Sequence, residues 1–275
     1  MAKISLKKGI LDVVLYIIVF IVAQLVVLYA GAGIWAAVKH EGFQATLQAV
    51  KTGGNPALLA ITTVFSSIIT LIVFLKAKWV VLTRDYLLSK PWLTLLWVAL
   101  FTLGAIIPLE FLYEHLGLEM DENTGKLFEG LMKEPWGYVA VGILVPLTEE
   151  IVFRGAILRS LLDMMSKKNH WVAIMISAAM FGLAHGNTAQ FVNALLMGLL
   201  LGWMYYRTKS LVPGILMHWV NNTMAYILAN LVPQSDGKLI DLFGGNEQTV
   251  YYAVGFSLCI LIPSFIQMII RLKKA

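Results

Sequence analysis

The run Thr148-Glu149-Glu150-Ile151-Val152-Phe153-Arg154 puts two carboxylates and a guanidinium into a stretch otherwise apolar enough to enter a membrane. Even on the lowest scale, each ionised group at bilayer depth costs about 3 kcal/mol, so the cluster needs partners or a task. On a helix Glu150 and Arg154 are i and i+4 and face each other, while Glu149 is rotated by about 100° from Glu150. That spacing pairs Glu150 with Arg154 and turns Glu149 toward a separate cavity, as a base able to take a proton from water. Downstream, Phe181 and His185 share one helical face, as do His218 and Asn222. His185 can orient a water or share its proton with Glu149. His218 and Asn222 both donate hydrogen bonds and suit a developing oxyanion. A base, a water site and oxyanion donors are the equipment of peptide-bond hydrolysis without a covalent acyl-enzyme.

Each element also has a plainer reading. A Glu150–Arg154 pair can simply lock helices together, and His218 beside Trp219 can be a hydrogen-bonded core or interfacial residue. His170, next to Trp171 and Lys168, belongs to a membrane-interface belt. Ser177 precedes His185 by about two turns, but nothing in its surroundings marks it as an activated nucleophile. What the plainer readings do not explain is that Glu-Glu-xxx-Arg, Phe-xxx-His and His-xxx-Asn occur in order on separate apolar segments.

The elements that must position these groups follow from composition. The chain has 275 residues, 59% hydrophobic and 13% charged, with mean hydropathy +0.78. A soluble domain carries about 25% charged residues, so the expectation is an all-α polytopic membrane protein. Apolar runs of about 20 residues predict eight spans, near 10–38, 57–81, 92–113, 136–160, 170–185, 189–206, 211–231 and 249–270. The division by sequence order is three helices and an acidic outside loop over 1–134, a core of helices four to seven over 135–231, and an outside loop with a final helix over 232–275. The acidic stretch 114–135, with Glu119, Asp121 and Glu122, reads as a solvated face. Pro233, Asp236, Gly237, Gly244 and Gly245 read as turns. Gly198 and Gly202 form a small-xxx-small pair suited to close helix packing. Cys259 reads as a small buried hydrophobe.

Basic residues orient the spans. Lys3, Lys7, Lys8, Lys76, Lys78, Arg84, Lys90, Arg159, Lys167, Lys168, Arg207, Lys209, Arg271, Lys273 and Lys274 fall on one side. Lys39, Lys51, Lys126, Lys133 and Lys238 fall on the other. This roughly threefold bias alternates from loop to loop and places both termini in the cytoplasm. The formal charge of +5 is therefore an orientation signal, with attraction to anionic lipid headgroups second. No nucleic-acid partner is expected.

The ordered motifs Glu149-Glu150-Ile-Val-Phe-Arg154, Phe181-Gly-Leu-Ala-His185 and His218-Trp-Val-Asn-Asn222 resemble the CPBP (Abi) family of intramembrane proteases, which includes the type II CAAX prenyl endopeptidases. The likeness covers about residues 135–230. It implies a multi-helix fold with a polar cavity inside the membrane. It also implies that Glu149 and His185 activate water, that His218 and Asn222 stabilise the oxyanion, and that Glu150, Arg154 and Phe181 support them. The implied substrate is a membrane-associated or lipidated peptide, cut near its C-terminus.

That family has been described both as metalloproteases and as glutamate-dependent proteases. Glu149, His185 and His218 would be the ligands if zinc is used. The metal-free mechanism is favoured, since no His-Glu-xx-His pair is present and Asn222 is a poor ligand but a good oxyanion donor. No other cofactor is expected. Two further readings stay open: a non-catalytic membrane binding or immunity protein, and a proton-coupled transporter using the carboxylates as a relay. A bacterial plasma membrane is the expected location.

Overall fold

The computed structural model describes residues 5–118, 120–231 and 238–272. Lys3, Glu119, Pro233, Asp236, Gly237, Lys273 and Lys274 lie outside them. Among the described residues there are helices and turns and no strand. The long elements are α1 (Leu6–Lys39), α2 (Phe43–Lys51), α3 (Pro56–Lys76), α4 (Trp92–His115), α5 (Glu122–Lys133), α6 (residues 138–164), α7 (His170–Leu183), α8 (Thr188–Thr208), α9 (Val212–Leu231) and α10 (Glu247–Arg271).

Each of the eight expected runs contains a helix, the run 57–81 only as far as Lys76. Among the described residues five helices, α1, α3, α4, α8 and α10, are long and apolar enough to cross a membrane. The chain is a multi-pass, all-α membrane protein. Its outer faces carry large apolar side chains, with Ile34 67% and Phe256 73% exposed, as lipid contact requires.

Helix starts are set by side chains that satisfy the first free amides. Ser5 accepts from Lys8 N, Asn55 from Leu58 N with Pro56 at the first helical position, and Asn246 from Thr249 N. Three expectations are corrected. The acidic stretch contains the helix α5, started by Asp121, whose carboxylate accepts from Thr124 N and Oγ1 at 3.1 and 2.6 Å. Cys259 is exposed on α10 rather than buried, because a membrane helix satisfies an apolar side chain by turning it to lipid. And α6 is not uniform. Residues Tyr138–Leu144 and Glu150–Leu158 are wound in wide i→i+5 turns on either side of an ordinary segment, Val145–Glu149. Pro146 lacks the amide that would continue the i→i+4 ladder, which accounts for the first wide stretch.

Packing groups the chain into two compact units that interleave in sequence. The first comprises residues up to Leu82 and Met120–Gly202, and the second Thr83–Glu119 and the residues from Trp203 onward. In the first unit α1 packs on α2, α3 and α6, with Ala32, Leu47, Val50 and Leu58 forming one buried cluster. Arg159 donates from Nη2 to the Trp79 carbonyl at 2.8 Å, tying α6 to the chain just after α3. Gly198 and Gly202 allow α8 to lie against α7 and α6: a Cβ on Gly198 would fall 2.9 Å from Ala178 Cα, and one on Gly202 3.0 Å from Ile174 Cγ2.

The second unit is built on α4 and α10, with α9 also against α4. Gly104 admits the α10 backbone so closely that a Cβ there would stand 2.8 Å from Leu261 N. Phe101 packs on Phe265 and Phe111 on Tyr251.

Candidate active site

The ordinary segment Val145–Glu149 and the wide turn that follows carry the first motif. Every residue from Glu150 to Leu158 is buried. Glu150 Oε1 accepts from Arg154 Nη1 at 2.7 Å, and both side chains are 1% exposed. The guanidinium carbon lies 4.3 Å from the Phe181 ring centroid, a cation–π seat that recovers part of the lost solvation. Among the described residues Arg154 Nε and Nη2 have no hydrogen-bond acceptor.

Glu149 is turned elsewhere. It lines a cavity of about 80 Å³ together with Phe20 and Gln24 of α1, Thr63, Ser66, Ser67 and Thr70 of α3, and Val145 and Thr148 of α6. The sequence reading missed the α1 and α3 residues. Their signal was present: four hydroxyls at i, i+3, i+4 and i+7 lie on one face of a helix. A mean hydropathy of 2.5 for that span conceals them.

His185 stands just beyond α7, before the turn at Gly186, whose φ is +76°. Its Nδ1 lies 2.9 Å from the Phe181 carbonyl. A carbonyl accepts only, so Nδ1 carries the proton and Nε2 is the basic nitrogen of the neutral ring. The imidazole stands edge-on to the Phe181 ring, 5.0 Å between centroids. Phe181 also meets Phe153, which meets Phe20. An aromatic chain thus runs from the cavity wall to His185, although His185 is not among the cavity-lining residues. Ser177 is buried and donates to the Phe153 carbonyl at 3.1 Å, so its hydroxyl is committed to packing α7 on α6.

His218 and Asn222 belong to the second unit, one turn apart on α9. His218 is buried, and Asn222 is half-buried and accepts from Asn221 Nδ2 at 3.3 Å. A zinc site needs at least three protein ligands. Of Glu149, His185 and His218 the first unit contains two, and among the described residues of that unit no three His, Cys, Asp or Glu side chains gather closely enough to hold an ion.

Residues 132–224 match the family model of the Rce1-like type II CAAX prenyl endopeptidases, a segment that includes all seven motif residues. The chain is similar to YdiL of Bacillus subtilis (strain 168), described only provisionally as a membrane peptidase. The identity is 27% over 164 residues, covering 56% of this chain and 66% of that protein. It is also similar to the membrane-embedded CAAX protease MroQ of Staphylococcus aureus (strain USA300). That identity is 29% over 150 residues, covering 53% and 60% of the two chains. The chain spans less than two thirds of either relative's length. No solved structure matches it.

Proposed function

We propose, for a chain whose residues 132–224 match the type II CAAX prenyl endopeptidase family, an intramembrane endopeptidase that hydrolyses a peptide bond with activated water. The observation that carries this reading is the division between adjacent carboxylates. Glu150 is committed to a buried ion pair, while its neighbour Glu149 lines a polar cavity in an apolar bundle.

In this reading Glu149 accepts a proton from water as the water oxygen bonds to the scissile carbonyl carbon. His185 orients that water through Nε2. The carbonyl oxygen becomes an oxyanion, and the donors one turn apart on α9, His218 and Asn222, stabilise it. The tetrahedral intermediate collapses with cleavage of the C–N bond, and the proton held by Glu149 passes to the leaving amine. Glu150, Arg154 and Phe181 hold the wide turn of α6 and thereby the direction of Glu149. The substrate class is a lipidated or otherwise membrane-associated peptide cut near its C-terminus, and the location a bacterial plasma membrane with both termini cytoplasmic.

The test is incubation of the detergent-purified protein with prenylated and plain peptides, scored by mass spectrometry, with and without a chelator. Scission is expected from wild type in both conditions and is about 10²–10⁴-fold slower in Glu149→Gln. Full activity in Glu149→Gln removes its assigned role. Loss of scission on chelation, restored by zinc, replaces the metal-free mechanism.

A further inference from the structure

We propose that the hydroxyl stripe of α3, completed by Gln24 of α1, holds a cluster of waters and delivers one to Glu149. The inference rests on the peptidase reading and adds residues outside the matched segment to its machinery. Thr63, Ser66, Ser67 and Thr70 all line the Glu149 cavity, and all but Thr63 are buried. Four hydroxyls on one buried face of a membrane helix carry a desolvation cost unless each finds a partner.

Two find theirs within the helix. Thr63 donates to the Leu59 carbonyl at 2.8 Å, and Ser66 to the Thr63 carbonyl at 3.1 Å. Their oxygens still accept from the cavity side. Thr70 is different. It is 1% exposed, it lines the chamber, and its Oγ1 has no hydrogen-bond partner among the described residues. Simple helix-to-helix bonding does not explain it, because the Thr148 hydroxyl of α6 donates to the Ser67 carbonyl, at 3.5 Å, and not to Thr70.

A water needs roughly 10–15 Å³ of such space and two to four polar partners. The chamber offers about 80 Å³, room for several waters, with hydroxyl, amide and carboxylate groups around them. Phe20 and Val145 form the apolar part of the wall. Hydrolysis consumes one water per bond cut, and a resident cluster replaces it from beside the carboxylate. Thr70 and Gln24 act here as positioning residues: Thr70 offers a donor, and the Gln24 amide offers both a donor and an acceptor.

The experiment uses the full chain in detergent. Thr70→Val removes the hydroxyl at nearly constant volume and Thr70→Ser retains it. We expect Thr70→Val to lower kcat about tenfold, the scale of one hydrogen bond, with KM unchanged, and Thr70→Ser to recover most of the loss. Hydroxyl-radical footprinting by X-ray radiolysis reads the water without turnover: Phe20, 8% exposed, should be labelled in wild type and protected in a Thr70→Val/Gln24→Leu double variant. An unlabelled Phe20 in wild type overturns the proposal, as does wild-type kcat in Thr70→Val. Labelling at Phe20 in a wild-type chain that cleaves no peptide overturns the peptidase reading and the delivery role together, and leaves the water chamber standing.

Discussion

Glu150 Oε1 and Arg154 Nη1 meet at 2.7 Å with both side chains 1% exposed, so two full charges are removed from solvent one turn apart on the helix that carries Glu149. Removing one partner of such a pair strands the other, at a cost of about 3–5 kcal/mol, whereas replacing both by apolar groups of similar volume is near neutral. Glu150→Gln and Arg154→Met should each lower the thermal midpoint of the detergent-solubilised protein sharply. The double variant Glu150→Leu/Arg154→Met should unfold closer to wild type than either single change. Additive losses would show that the two residues act separately.

Glu149 is expected to separate chemistry from stability. Glu149→Gln keeps the shape and should leave the thermal midpoint unchanged while kcat falls about 10²–10⁴-fold, the range of a general base. His185→Ala and His218→Ala should also abolish scission in protein that remains inserted. Wild-type turnover in any of the three excludes that residue from the reaction.

Close backbone approach makes a sharper test of packing. A Cβ at position 198 would fall 2.9 Å from both Cα and Cβ of Ala178, and that α7 backbone cannot move aside as a side chain can. Gly198→Ala should destabilise by about 1–3 kcal/mol in thermal or denaturant unfolding. Gly255→Ala meets no atom within 4 Å and, as a helix-interior replacement, should be neutral or stabilising by up to about 1 kcal/mol. Equal effects at the two positions would refute the packing of α8 on α7.

Asp121 supplies a pH dependence outside the membrane spans. Hydrogen bonds from the Thr124 hydroxyl and amide hold its carboxyl below the ordinary aspartate value. A carboxylate depressed in the folded state gives its full contribution above the unfolded value, about 3.9, and loses it as pH falls through the lower folded value. Amide-exchange protection over the first turn of α5 should therefore be flat from neutral pH down to about pH 5 and decline only below about pH 4. Asp121→Ala should remove the protection and its pH dependence together.

The apolar runs were legible because a bilayer demands uninterrupted length, and each became a helix. The facing of Glu150 and Arg154 was legible because it depends only on local helix geometry, which a wide turn does not undo. What escaped was set by averaging or by solvent identity. Thr63, Ser66, Ser67 and Thr70 vanish into the hydropathy of α3, although their spacing marks one face. The helix α5 was hidden by its charges, although Asp121 and Thr124 form a start signal with Leu127 and Leu131 following at helical spacing. Cys259 was assigned to a core because burial habits learned from soluble chains take protein, not lipid, as the apolar phase.

The wide turns of α6 give that helix slack in its winding. An i→i+5 stretch accommodates one more residue than an ordinary turn between the same neighbours. Deleting a single residue from the solvent-remote segment after Glu150 should therefore tighten the spiral locally and leave Arg159 still reaching the Trp79 carbonyl. Deleting one from Val145–Glu149, which is already ordinarily wound, would swing everything upstream against everything downstream by about a quarter turn. Tolerance to length change is thus unequal along one continuous helix, and it is smallest in the few residues that end at Glu149.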